Sequence, residues 1–232
     1  MDEKLRNSYL NICQQRNSTF RTVWFTYIYS LNSRFMNNTI RNYLAGYNFV
    51  AFVFWLLFII AFTCRGCTLT LQSLWLLNIA QGLALLEIIH ALLRWVKSPV
   101  GSTFAQVFSR ILVLVLINIF VKVELHPVTN YGIIIVAFAW SITEVVRYSH
   151  YFFSILHREL KPLVWMRYSF FIALYPLGVT GEWLIIITPL VTDGIAFNLY
   201  TAMVAVLAVS YLYYFPVLYK YMWKQRKAKV SG

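Results

Sequence analysis

The sequence predicts an all-α integral membrane protein, a bundle of about six transmembrane helices with both termini in the cytosol. Three observations support this prediction. Hydrophobic residues make up 60% of the chain and charged residues only 12%, whereas soluble domains are roughly half apolar and one quarter charged. Six separate apolar stretches are long enough to cross a bilayer. Lys and Arg are concentrated next to alternate ends of these stretches, as in membrane proteins of fixed orientation.

Each apolar stretch is close to the ~20 residues that a helix needs to cross the hydrocarbon core. The stretches cover residues 43–62, 74–93, 104–121, 131–153, 165–190 and 199–219. Short loops separate them, so no second soluble domain is expected. We therefore predict a polar cytosolic arm at residues 1–42, a six-helix transmembrane domain at 43–219 and a basic cytosolic tail at 220–232.

The positions of the basic residues set the predicted orientation. Of the 20 Lys and Arg residues, 15 lie in the arm, the second and fourth loops and the tail, and only Arg65 and Lys122 lie on the opposite side. The remaining three are inside spans. This bias places both termini in the cytosol. The net charge of +12 does not indicate nucleic-acid binding, because the basic residues do not form one stripe with exposed aromatic residues.

Glycosylation at Asn17 tests this orientation, because Asn17 begins an Asn-Ser-Thr sequon. N-glycans are added in the secretory lumen, so a cytosolic arm should leave Asn17 unmodified in eukaryotic cells. The measurement is electrophoretic mobility before and after endoglycosidase treatment. A glycan that disappears in Asn17→Gln would show that the arm is lumenal.

Ionisable residues inside the apolar stretches are a signal of function, because a charge at the bilayer centre costs about 3 kcal/mol or more. In the predicted orientation, nearly all of them lie in the cytosolic half of their spans. They are Glu87, His90, Arg110, Glu144, Arg147, His150 and Arg167. This clustering predicts a polar cavity open to the cytosol. The structural alternative is that the arginines extend to the interface while Glu144 pairs with Arg147 one turn away.

Glu182 differs from these residues because it lies roughly 20 to 25 Å into the fifth span at the rise of an α-helix. It is too deep to reach the interface and needs a partner or a proton. Tyr175 precedes it by seven residues, or two helical turns, so the two side chains share one helix face. Pro176, next to Tyr175, is expected to loosen the helix locally.

Four segments resemble the 3-hydroxyacyl-CoA dehydratases, once called protein tyrosine phosphatase-like proteins, which catalyse the third step of very-long-chain fatty acid elongation. The segments are YLAGYN at Tyr43 to Asn48, LEIIHALLRWVKSPVGSTFAQVFSR at Leu86 to Arg110, WSITEVVRYSHYFF at Trp140 to Phe153, and YPLGVTGE at Tyr175 to Glu182, the last preceded by WMRYSFFIAL. They agree with the family in order and spacing. The resemblance covers roughly residues 43 to 226.

The resemblance implies that Tyr175 and Glu182 match the catalytic pair of the family. The reaction would eliminate water from a very-long-chain (3R)-3-hydroxyacyl-CoA to give a trans-2-enoyl-CoA. We assign Glu182 as the general base and Tyr175 as the proton donor or the group that orients the substrate hydroxyl, because a carboxylate is the stronger base at neutral pH. The reverse assignment is left open by the sequence.

Further residues are predicted to support activity or bind substrate. They are Arg110, Arg167, Gly178, Glu144, Arg147 and Tyr148; of these, Arg110, Arg167 and Gly178 match family positions. The two matching arginines, with Lys97 or Lys161, are expected to hold the phosphates of coenzyme A at the cytosolic mouth. Gly178 either lets the acyl thioester approach the helix backbone or allows close helix packing.

The resemblance also implies partners and a location. The expected ligands are a long-chain 3-hydroxyacyl-CoA and membrane lipids, and the expected protein partners are the condensing enzyme, ketoacyl reductase and enoyl reductase of the elongation cycle. The location implied is the endoplasmic reticulum membrane, with several passes. No metal or redox cofactor is expected, because the substrate itself carries coenzyme A.

Two functions of other classes compete with this interpretation. Cys64-Arg-Gly-Cys67, on the predicted lumenal side, suggests a membrane thiol oxidoreductase. Because the third cysteine, Cys13, lies in the predicted cytosolic arm and cannot relay electrons to the other side, a structural disulfide or two free thiols is preferred. A non-enzymatic transporter or scaffold would use the intramembrane charges as a substrate path. A phosphatase is disfavoured, because none of the cysteines has an arginine six positions later.

Overall fold

All six predicted spans are helical in the computed structural model, which describes residues 38–96, 98–120, 126–192 and 199–230. Within these ranges the chain forms seven α-helices and no strand. They are α1 (Asn38–Cys64), α2 (Leu71–Leu92), α3 (Val100–Phe120), α4 (Pro127–Ile155), α5 (Lys161–Ser169), α6 (Phe171–Thr192) and α7 (Leu199–Val230). Six of them, all but α5, are long and apolar enough to cross a membrane. The predicted all-α membrane fold is thereby confirmed, and the cytosolic position of the termini stays a prediction.

Several predictions concern residues that are not described. The N-terminal arm lies outside the described residues apart from positions 38–42, and so do Lys97, Lys122 and the end of the tail. The chain divides into two units, Met1–Asn42 and Tyr43–Gly232. The second unit contains every predicted site residue.

Local capping signals determine where two of the site-bearing helices begin. At the start of α2, the Thr70 side chain accepts a hydrogen bond from the Ser73 N–H, and Ser73 Oγ accepts one from the Thr70 N–H. This reciprocal arrangement is a capping box. At the start of α4, His126 Nδ1 accepts from the Val128 N–H, and Pro127 occupies the first helical position, where its missing N–H leaves no extra group unpaired.

Burial is confined to one face of most helices. The core contains the rings of Trp55, Phe58 and Phe62 from α1, none more than 1% exposed, packed with aliphatic side chains of α2, α3, α4 and α6. On the opposite faces large apolar side chains such as Trp75 and Leu212 are 62% and 78% exposed. Apolar surface of this extent is expected where lipid, rather than water, surrounds the helices.

The fifth apolar stretch differs from its prediction. We predicted one span over residues 165–190 with Arg167 at its start, but the structure has two helices, α5 and α6, that meet at Phe170. Arg167 therefore lies in a short helix before the span. Within α6, Pro176 has no N–H to donate to the Ile172 carbonyl. The Tyr219 hydroxyl of α7 donates to that carbonyl instead, over 3.3 Å, and α6 continues through the proline.

Candidate active site

The close crossing of α4 and α6, the most extensive helix contact in the described chain, depends on two glycines. A Cβ atom added at Gly132 would lie 2.9 Å from the Gly181 carbonyl oxygen, and one added at Gly181 would lie 2.9 Å from Val136 Cγ2. A side chain at either position would push the helices apart, because small residues are what allow membrane helices to approach this closely. Since Gly181 precedes Glu182, the crossing brings Glu182 against α4.

Gly181→Ala should therefore destabilise the protein, by about 1 to 3 kcal/mol for an overpacked core position. Gly178→Ala is the matched control, because the added Cβ would meet only Ala139 Cβ at an ordinary contact distance of 3.7 Å. The thermal midpoint of each purified variant in detergent measures the effect. Equal midpoints for the two alanine variants would contradict this account of the crossing.

Gly178 itself is buried against α4. Of the two roles predicted for it, the structure shows a helix-packing contact, with Ala139 as the neighbour. Its contribution to activity stays a prediction.

Glu182 lies in the middle of α6, and its side chain is enclosed by three helices. The residue is 8% exposed. Trp140 of α4 donates its Nε1–H to Glu182 Oε1 over 2.9 Å, and Tyr211 of α7 donates its hydroxyl to Oε2 over 2.5 Å. Each carboxylate oxygen therefore has one donor. Since a carboxylate has about four acceptor positions, it retains the capacity to take a proton.

Tyr175 lies on the side of α6 that faces α7. Its ring stacks on Phe215 with centroids 4.9 Å apart and planes at 7°, and more distantly on Tyr219. Within the described residues, the Tyr175 hydroxyl makes no hydrogen bond, and the residue is half-buried. Glu182 and Tyr175 thus contact neighbouring turns of α7, and they interact electrostatically without touching.

Four charged residues and one tyrosine of α2, α3 and α4 form one cluster, which we call the ion network: Glu87, Arg110, Glu144, Arg147 and Tyr148. Arg147 donates both terminal nitrogens to Glu87, each over 2.7 Å, and its Nε to Glu144 over 2.6 Å. Arg110 pairs with the other oxygen of Glu144, and the Tyr148 hydroxyl donates to Glu87 over 2.5 Å. The pairing of Glu144 with Arg147, which belonged to the structural alternative, is present, but as part of a larger set.

Two arginines face two glutamates in the ion network, so its formal charges balance. Glu144 is completely buried, and a buried carboxylate is tolerated only when it is paired and hydrogen-bonded. Arg110 accordingly does not extend freely to the interface, because it is held by Glu144 and its guanidinium lies 5.4 Å from the centre of the Trp140 ring. Binding of a coenzyme A phosphate by Arg110 stays a prediction, and a bound phosphate would have to share the Arg110 guanidinium with Glu144.

Arg167 is not a member of the ion network. From α5 it donates Nη2–H to the Tyr151 hydroxyl over 2.8 Å, and its guanidinium lies 4.4 Å from the centre of that ring. Its Nε is buried and has no partner among the described residues. Arg167 and Arg110 therefore have separate surroundings, and phosphate binding by Arg167 also stays a prediction.

His90, another of the ionisable residues noted in the spans, has a packing role in the structure. It is 2% exposed. Its Nε2 lies 3.0 Å from the Tyr43 hydroxyl, and its ring stacks on Trp95 with centroids 5.8 Å apart. The Tyr47 hydroxyl also donates to α2, at the Leu83 carbonyl over 3.0 Å. The two tyrosines of the first motif segment, Tyr43 and Tyr47, thus join α1 to α2 next to the ion network.

Sequence reasoning missed two residues that contact Glu182. Trp140 begins one of the motif segments, but nothing in the sequence shows that its indole N–H reaches across to α6. Tyr211 belongs to a series with Phe215, Tyr219 and Trp223 at intervals of four residues. That spacing indicates one aromatic helix face, although it does not reveal which helix the face contacts.

The two cysteines behind the competing redox interpretation both lie in the described residues, at the end of α1 and in the turn that follows it. Cys64 and Cys67 are free thiols, of which Cys64 is exposed, so of the two preferred alternatives, a structural disulfide or two free thiols, the structure has the second. In the described ranges, no group of three or more His, Cys, Asp or Glu residues is placed to hold a metal ion.

Comparison with known proteins identifies similar chains over most of the sequence. A family model described as "Protein tyrosine phosphatase-like protein, PTPLA" matches residues 81–232. No solved structure matches the chain significantly.

Three curated relatives illustrate the range of similarity, and each is named as a very-long-chain (3R)-3-hydroxyacyl-CoA dehydratase. The hpo-8 protein of Caenorhabditis elegans is 36% identical over 177 residues, which cover 67% of this chain and 77% of the relative. Dehydratase 2 of Mus musculus is 33% identical over 211 residues, covering 82% and 81%. PASTICCINO 2 of Arabidopsis thaliana is 34% identical over 171 residues, covering 67% and 75%.

Proposed function

The chain belongs to the protein tyrosine phosphatase-like (PTPLA) family of 3-hydroxyacyl-CoA dehydratases, and we propose that it is a very-long-chain (3R)-3-hydroxyacyl-CoA dehydratase acting in fatty acid elongation. The reaction is that of a hydro-lyase, which eliminates water to give a trans-2-enoyl-CoA. The observation that supports this function best is the buried Glu182 carboxylate, which is held by two neutral donors in the middle of an apolar span.

In the proposed mechanism, Glu182 is the general base and Tyr175 the general acid. Glu182 takes a proton from C2 of the substrate, and the electron pair of that C–H bond forms the C2–C3 double bond. The C3–O bond breaks, and the departing hydroxyl takes a proton from the Tyr175 hydroxyl to leave as water. The released water can carry the Glu182 proton to the tyrosine oxygen, which restores both groups.

The positions of these two residues restrict how the substrate can bind. Seven residues of α-helix separate their Cα atoms by roughly 10 Å along the axis, and both side chains face α7. The reacting carbons must therefore lie between α6 and α7. The rings of Phe215 and Trp183 border this region, and apolar surface of this kind suits a long acyl chain.

The charged end of the substrate is proposed to lie at the cytosolic mouth, where Arg110, Arg167 and Lys161 provide positive charge for the phosphates of coenzyme A. No further cofactor is proposed, because dehydration is redox-neutral and needs only one acid and one base. We also propose the endoplasmic reticulum membrane as the location and the other enzymes of the elongation cycle as partners, in keeping with the fatty acid elongation role.

Purified protein in detergent, incubated with (3R)-3-hydroxyacyl-CoA substrates of several chain lengths, tests the function. Mass spectrometry should detect the trans-2-enoyl-CoA product, formed fastest from long chains. Detergent abolishes any ion gradient, so turnover under these conditions would exclude a transporter that depends on one. Failure of the folded protein to convert any chain length would refute the proposal.

A further inference from the structure

Glu182 is oriented by residues of two other helices, and the shorter of its two hydrogen bonds comes from Tyr211. The Tyr211 hydroxyl lies 2.5 Å from Glu182 Oε2, whereas Trp140 Nε1 lies 2.9 Å from Oε1. With one donor on each oxygen, rotation of the carboxylate about its last bond would break at least one hydrogen bond. The remaining acceptor positions of Glu182 therefore point in fixed directions.

The depth of Tyr211 excludes the commonest reason for a tyrosine in a membrane helix, which is anchoring at the lipid headgroups. Tyr211 follows Leu199, the first residue of α7, by twelve residues, and so lies roughly 18 Å along the helix. Its ring packs edge-on against Trp183, with centroids 5.6 Å apart. The hydroxyl is thus directed into the protein, where Glu182 accepts its hydrogen bond.

The same face of α7 supports both members of the proposed catalytic pair. Tyr211 contacts Glu182, and Phe215, one turn later, stacks on Tyr175. Tyr219, a further turn on, donates to the Ile172 carbonyl that Pro176 leaves without its usual donor. This last contact fixes the position of α7 along α6, so the Tyr211 hydroxyl reaches Glu182 rather than a neighbouring turn.

We infer that Tyr211 is a positioning residue for the elimination, one that fixes and stabilises the ionised Glu182 carboxylate through Oε2. This inference rests on the proposed function, in which Glu182 removes the C2 proton. A hydrogen bond to a charged group in a buried site stabilises that charge more than one between neutral groups. The Glu182 carboxylate is surrounded by apolar helices. Tyr211 would thereby keep this carboxylate ionised, so that it can act as a base, and aimed at the substrate.

Tyr211→Phe removes the donor and keeps the ring that packs on Trp183. The expected result is a fall in kcat of about 10- to 100-fold, the loss typical of a hydrogen bond to a charged group. KM should change little, because substrate binding and helix packing are retained, whereas the thermal midpoint should fall modestly, because the buried carboxylate loses one hydrogen bond. Trp140→Phe, which removes the donor on the other oxygen, should also lower kcat more than it raises KM. Tyr213→Phe, on the exposed face of the same helix, is the control and should stay within about twofold of wild type.

The outcomes separate this inference from the function on which it rests. If wild type turns over substrate and Tyr211→Phe has an unchanged kcat, the positioning role is wrong and the function is not affected. A rise in KM at an unchanged kcat, together with a lower thermal midpoint, would instead indicate a packing role and would also overturn the inference.

Infrared spectroscopy gives a test that does not require turnover. The carboxylate band that is absent from Glu182→Gln identifies Glu182, and that band should shift in Tyr211→Phe but not in Tyr213→Phe. An unshifted band would refute the inference even if the wild-type protein proved inactive.

Discussion

Glu182→Gln is expected to lower kcat by ~10² to 10⁴-fold, the usual contribution of a general base. Glutamine keeps the shape of the side chain: its amide oxygen can accept from the Trp140 N–H, and its NH2 group can donate to the Tyr211 hydroxyl oxygen. The variant should therefore fold and insert normally. The measurement is the initial rate of trans-2-enoyl-CoA formation with saturating substrate, together with the thermal midpoint. Glu159→Gln, which changes an exposed acid outside the site, is the control and should be as active as wild type.

Tyr175→Phe extends this prediction to the other member of the pair. It removes one hydroxyl and retains the ring that stacks on Phe215, so a comparable fall in kcat without loss of stability is expected. Because both residues act on one substrate in one step, the double variant should be much less impaired than the product of the two single losses.

Two results would count against this pair. A well-folded Glu182→Gln protein with near-normal turnover would remove Glu182 from the mechanism. If the losses of the two single variants simply multiply in the double variant, the residues contribute independently, and another group must serve as the acid for Glu182.

Arg147→Leu is expected to lower the free energy of unfolding by about 3 to 5 kcal/mol, the cost of leaving a buried charge without its partner. Arg147 donates to Glu87 and Glu144 at once, so its removal leaves Glu87 without an arginine and Glu144 with Arg110 alone. The loss should be visible as a large fall in thermal midpoint and in the yield of monodisperse protein.

The control for this prediction is Arg158→Leu, because Arg158 is exposed in the turn that follows α4. Arg158→Leu removes the same positive charge but leaves no buried partner behind, so this variant should keep a thermal midpoint near that of wild type. Similar midpoints for the two variants would show that the ion network does not stabilise the bundle.

The sequence was sufficient to predict the six spans, because span length and hydropathy are properties of each segment alone. A helix that crosses a bilayer satisfies its own backbone hydrogen bonds, so an apolar stretch of about 20 residues predicts it without knowledge of its neighbours. The motif segments were also sufficient to predict the family, which the family model and the relatives confirm. The exception among the spans, the break at Phe170, arose because hydropathy does not register a short helix next to a long one.

Only the tertiary structure decided which polar groups meet. The sequence suggested a Glu144–Arg147 pair one turn apart as the structural alternative to a cavity. It did not predict that Arg147 also binds Glu87, 60 residues earlier, or that Tyr211 reaches Glu182 from another span. Such contacts depend on how each helix is rotated and how closely it approaches its neighbour. In this protein the approach of α4 to α6 is set by Gly132 and Gly181, where a single added carbon would clash. Hydropathy is summed along one helix, whereas hydrogen bonds between helices depend on atomic distances across a crossing. For that reason the sequence determined the spans, and the fold determined which polar side chains are hydrogen-bonding partners.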